Sequence, residues 1–101
     1  MTKNHPSKIV LVSGRPYDRA RDESLLLELI EARVKLFCAV GPCAAEWEDA
    51  MDWLGIGLGE GDSHFVVTTA HSDESVEEVI AFAEYFSLSE VGSVEVIYAP
   101  D

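Results

Sequence analysis

The chain has 101 residues, 48% of them hydrophobic and 26% charged, a globular balance with room for one domain. Nineteen acids against seven bases leave a net charge of −12, and every base (Lys3, Lys8, Arg15, Arg19, Arg21, Arg33, Lys35) falls in the first third. From Leu36 to Asp101 there are 14 acids and no Lys or Arg, which makes nucleic acid and anionic membranes poor partners and a basic protein a natural one.

No apolar run approaches the ~18 residues of a membrane span. The stretch from Met1 to Lys8 lacks the apolar core of a secretion signal. Cys38 and Cys43 are too few for a disulfide framework or a four-ligand zinc site. The expectation is a cytoplasmic protein with reduced thiols and neither metal nor cofactor.

Lys8 to Ser13 is a continuous apolar run ended by Gly14, and reads as a strand buried on both faces. A polar turn through Arg15, Pro16 and Tyr17 leads to a helix capped at Asp22 or a neighbour and running to about Arg33, with Leu26, Leu29 and Ile30 on one face. Leu36 to Val40 is a second buried strand, broken by Gly41-Pro42. A second helix follows from about Cys43 to Leu54, with Trp47, Ala50, Met51 and Leu54 at core spacing. Glycine then occupies every second position from Gly55 to Gly61, which reads as a helix cap and a loop. Phe65 to Thr69 forms the third strand. Ser72-Asp73-Glu74 opens a third helix whose inner face is Val76, Val79, Ile80, Ala83 and Phe86. Val94 to Tyr98 is the fourth strand.

Alternation of strand and helix implies a parallel sheet with right-handed crossovers. The expected architecture is a single-domain three-layer α/β sandwich over residues 1–101, with 1–7 a flexible tail, three helices, and four parallel strands in the flavodoxin-like order 2-1-3-4. That order leaves the first helix alone on one face, and the thin face leads us to expect a homodimer.

Ligands of open parallel sheets bind beyond the carboxyl ends of the strands, which selects Ser13, Gly14, Arg15, Tyr17 and Thr69 as candidate ligand-binding residues. Cys43, in the first turn of a helix, is a candidate nucleophile with His71 as its base and Arg15 as the nearby cation. Against it stand the neighbouring acids Glu46, Glu48 and Asp49 and the absence of a Cys-x-x-Cys signature; the plainer reading is a partly buried cysteine at a helix start. His5, His64 and His71 lack metal-ligand spacing. The glycine segment follows a helix, carries Glu60 and Asp62, and has no Lys, so it does not match a phosphate cradle. Trp47 fits the core, whereas Trp53 with Ile56 and Leu58 fits either a contact patch or packing under the glycine loop.

Two functional readings lead, ahead of a third, a structural homodimer or a degenerate domain without chemistry. One is a non-enzymatic acidic domain that binds a basic protein, as an inhibitor, immunity or antitoxin-like protein would. The other is a small-molecule or cysteine-dependent enzyme site at the strand ends.

Overall fold

The computed structural model describes residues 8–58, 66–86 and 94–99. The expected tail (1–7) and the glycine-rich residues 59–63 lie outside them. The elements run β1 (Lys8–Val12), α1 (Arg19–Glu31), β2 (Leu36–Val40), α2 (Ala44–Leu58), β3 (Val67–His71), α3 (Val76–Tyr85) and β4 (Val94–Tyr98). Four parallel strands and three helices form an α/β sandwich.

The strand order is 3-2-1-4, not 2-1-3-4. The reason lies in strand composition. β2 is buried along its whole length and β1 nearly so, whereas β3 (VTTAH) and β4 (VEVIY) carry polar residues and are largely half-buried. An order of 2-1-3-4 would put the all-apolar β2 at an edge. The observed order puts both apolar strands in the middle and the more polar ones outside.

Strand order decides which helices share a face. β1, β2 and β3 advance in one direction, so right-handed crossovers place α1 and α2 on the same side. The return from β3 to β4 runs the other way and places α3 alone on the opposite side. The expected partition, with the first helix alone, is therefore reversed. Ile9, Leu11, Phe37 and Ala39 of the sheet meet Leu26, Leu29 and Ile30 of α1 and Ala44, Trp47 and Met51 of α2. Val10, Leu36, Cys38 and Val40 meet Val79 and Ala83 of α3 on the other face.

Helix ends differ from expectation for local reasons. Asp18, not Asp22, caps α1, accepting from the Ala20 amide at 3.0 Å. α1 closes with the Val34 amide donating to Leu29 and the Arg33 amide to Ile30, which puts Arg33 at a φ of 62° in the left-handed region. α2 passes the expected stop at Leu54 and continues to Leu58; a nucleated helix extends residue by residue, and a glycine costs only about 1 kcal/mol. α3 begins after Ser75, three residues later than expected, because Ser75 and Glu78 form a reciprocal capping box. β3 is shifted two residues along from Phe65–Thr69, because pairing with all five residues of β2 carries it to His71. Lys8, buried at the start of β1, donates its ammonium to the carbonyls of Glu84 (3.3 Å) and Phe86 (3.0 Å), clasping the negative end of α3.

Candidate functional site

The strand ends carry two polar clusters. Their positions follow from strand order, because β1 and β3 are separated by β2.

The first cluster follows β1. Ser13 is buried, and its Oγ accepts from the Arg15 amide (3.1 Å) and donates to the Arg15 carbonyl (2.8 Å), which bends the chain sharply. Gly14 at the turn is exposed. Arg15 then folds back over the Trp47 ring at 5.6 Å and grips Asp22 with both guanidinium nitrogens, at 2.7 and 2.9 Å. Asp22 also accepts from the Asp18 amide at 2.8 Å, so its carboxylate is held by three donors in a site where it is only 4% exposed. The Arg15 bonds foremost hold its carboxyl below the ordinary 3.8, aided by the Asp18 amide and opposed by burial. Trp47 sends its indole N–H to the Arg15 carbonyl at 3.1 Å, and Tyr17 meets its ring edge-on at 5.3 Å. Burial, with Glu23 and Asp22 nearby, raises the Tyr17 phenol's pKa. Gly41 ends β2 beside this turn at a φ of 131°, where an added Cβ would overlap the Ser13 carbonyl.

The second cluster ends β3. His71 is buried, with Nδ1 2.6 Å from Glu74 Oε1, Nε2 2.8 Å from Thr69 Oγ1, and the Phe82 ring 5.2 Å away. Thr69 is half-buried on the α3 side of the sheet, opposite Cys38 in β2. Burial raises the Cys38 thiol's pKa, against the lowering effects of a bond from Thr69 and the charge of Lys8, and a neutral buried thiol is a poor nucleophile.

The structure thus gathers Ser13, Gly14, Arg15 and Tyr17 in one place and sets Thr69 and His71 in another. Cys43 is half-buried in the turn before α2, and among the described residues no hydrogen bond joins it to His71. Both ring nitrogens of His71 already face other partners. No three His, Cys, Asp or Glu side chains among the described residues gather as a metal site, and no described helix is long and apolar enough to cross a membrane.

Trp53 lies on the outer face of α2, 76% exposed. Ile56 and Leu58 belong to the last turn of the same helix; the expected contact of their side chains falls outside what is described. Glu46, Asp49 and Asp52 are exposed on α2 as well. Asp52 accepts from Thr68 Oγ1 at 2.7 Å. Glu48 is half-buried, and its carboxyl is pushed up foremost by burial and then by the charges of Asp52 and Asp49, against the lowering effect of His71.

Sequence reasoning missed Asp22 as the anchor of Arg15, Glu74 as the partner of His71, and Lys8 as a buried clasp.

Residues 1–98 match the model of a domain of unknown function, DUF7684. The chain belongs to that family. No curated protein and no solved structure matches it.

Proposed function

We propose that this DUF7684 chain is a non-enzymatic acidic domain that acts by binding a basic protein through the outer face of α2. The observation that carries this reading is Trp53. A tryptophan 76% exposed, on a helix whose exposed charges are Glu46, Asp49 and Asp52, gives a large apolar anchor within a negative field. Aromatic anchors dominate binding energies, and the surrounding charge selects and steers the partner. An exposed indole with acids at its sides also suits a partner's Lys or Arg, which can stack on the ring and pair with a carboxylate.

The strand ends lend support from the other side. Arg15 is gripped by Asp22, and His71 lies between Thr69 and Glu74. At the end of β1 the guanidinium that a ligand would meet is turned to Asp22. A cytoplasmic setting with both cysteines reduced belongs to the same proposal.

The test is affinity capture from a lysate of the source organism, with the intact chain and a Trp53→Ala variant as parallel baits and stepwise elution by salt. One dominant basic protein, released at moderate salt and at least about tenfold depleted on the variant, is the expected result, since losing an aromatic anchor costs 2 kcal/mol or more. Equal capture by both baits, or binding indifferent to salt, overturns it.

A further inference from the structure

The hydrogen bonds at the end of β3 have a direction. The buried His71 ring has Glu74 Oε1 2.6 Å from Nδ1 and Thr69 Oγ1 2.8 Å from Nε2. A carboxylate accepts and cannot donate, so the neutral ring carries its hydrogen on Nδ1 and donates it to Glu74. Nε2 then keeps its lone pair, and the Thr69 hydroxyl donates to it. One hydroxyl hydrogen cannot serve two acceptors. Cys38, opposite Thr69 in β2, offers only a weakly accepting sulfur, and the imidazole takes the hydrogen.

Hydroxyl, imidazole and carboxylate in this order are the parts of an activated alcohol. The ring is placed to remove the hydroxyl proton, and the carboxylate holds the ring in the tautomer that can do so. Local structure supplies the arrangement. Thr69 and His71, two residues apart in β3, share one face of the sheet, and Glu74 reaches back from the turn before α3. β3 is an edge strand, with Thr69 half-buried and Ala70 exposed. The Val67 amide donates to the Lys35 carbonyl, and the His71 carbonyl accepts from the Gly41 amide. Residues 67, 69 and 71 therefore direct their backbone groups to β2, and Ala70 directs its amide to the outer edge. That amide, one residue after the hydroxyl, points toward a carbonyl oxygen arriving from the edge.

We infer that Thr69 is an acyl-acceptor site, which takes a small acyl group from an activated ester or thioester with His71 as base and Glu74 as the positioning residue. Thr69 Oγ1 bonds to the acyl carbon, and the bond from that carbon to its alkoxide or thiolate leaving group breaks. The hydroxyl proton passes to His71 Nε2 and from there to the leaving group. The product is the chain itself, carrying an O-acyl threonine. The inference adds a modification site to a binding domain and is independent of Trp53, which lies on α2.

The probe is p-nitrophenyl acetate added to the 101-residue chain, followed by nitrophenolate release and by mass mapping of the acetylated peptides. Acetylation of Thr69 is expected. Thr69→Ser should retain it and Thr69→Val abolish it. His71→Gln should slow it at least about a hundredfold, the low end for losing a general base. Glu74→Ala, at an exposed position, should slow it at least about tenfold and release the ring hydrogen from Nδ1. Long-range nitrogen–proton couplings of the unmodified chain read the tautomer without any variant, and a hydrogen on Nδ1 is expected. Acetylation confined to Cys43, the lysines or the N-terminus overturns the inference, as does an undiminished rate in His71→Gln. A neutral ring with its hydrogen on Nε2 overturns it too. None of these readouts involves α2, so failure here leaves the lysate capture result standing, and failure there leaves this one.

Discussion

The two faces of the sheet are built from the same strands yet held in different ways. On the α1–α2 side, two helices meet the sheet and each other, and side chains from three elements interlock: Arg15 from the β1 turn, Asp22 from α1 and Trp47 from α2. On the α3 side a single helix is fixed at its two ends, by the Ser75–Glu78 box and by Lys8. One face is closed by two helices interlocked with the β1 turn, and the other by a single helix packed through Val79 and Ala83 and secured at its ends. Strand order is the cause, because advancing from β1 to β3 stacks two crossovers on one side and the return to β4 leaves one for the other. Rigidity is therefore expected to be greater on the face where the chain has two helices.

The comparison breaks most severely at Gly41. Its φ of 131° and the Ser13 carbonyl against its α-carbon allow β1 and β2 to end side by side. Gly41→Ala adds both backbone strain and an overlap with main-chain atoms that have no room to move. A loss of roughly 2–5 kcal/mol is expected in urea unfolding. A loss below about 0.5 kcal/mol, the range of neutral surface substitutions, would show that the β1 turn is not the rigid end of the molecule.

Asp22→Asn comes next. It leaves the Arg15 guanidinium without its counter-charge; because Arg15 is still 16% exposed, the expected cost of roughly 2–3 kcal/mol lies at or below the low end for broken buried pairs. The pH dependence has a definite sign. Arg15 depresses the folded pKa of Asp22 below 3.8, so the contribution is fully present above the unfolded value and is lost as pH falls through the folded one. The wild type and the variant should differ most near pH 7 and converge only in acid, as the pH falls through the folded pKa of Asp22, which lies below 3.8. Parallel unfolding curves at neutral and acid pH check this, and a gap that persists in acid would assign the loss to packing.

The elements of both faces were legible in the sequence; the division between the faces was not. β2 and β4 coincide with their apolar runs, and Trp47 and Met51 lie in the core as their spacing implies. The clue to strand order was also present. Leu36 to Val40 has no polar side chain to offer an edge, and Val67 to His71 has three. The eye follows runs and periods, whereas order depends on comparing strands with one another. The polar clusters were half legible for a related reason. Topology selects the strand ends, but whether Arg15 faces a ligand or Asp22 depends on how a turn folds back onto a helix, which no linear spacing states. Trp53 was the reverse case. Its misfit to the face of Met51 and Leu54 was visible at once, and it marks a residue outside the core.

The smallest expected effect sharpens the comparison best. Ser75 accepts from the Glu78 amide at 3.1 Å and its own amide donates to the Glu78 carboxylate at 2.9 Å. Ser75→Ala removes the first bond, and helix caps of this kind are worth about 1 kcal/mol. If α3 is held by its ends, the loss should be local. Amide exchange should quicken through Val79, Ile80 and Ala83 at denaturant concentrations too low to unfold the sheet, while amides of α1 and α2 keep their protection. Equal quickening in all three helices would mean that α3 opens only with the whole molecule, so the face it covers would be as rigid as the other.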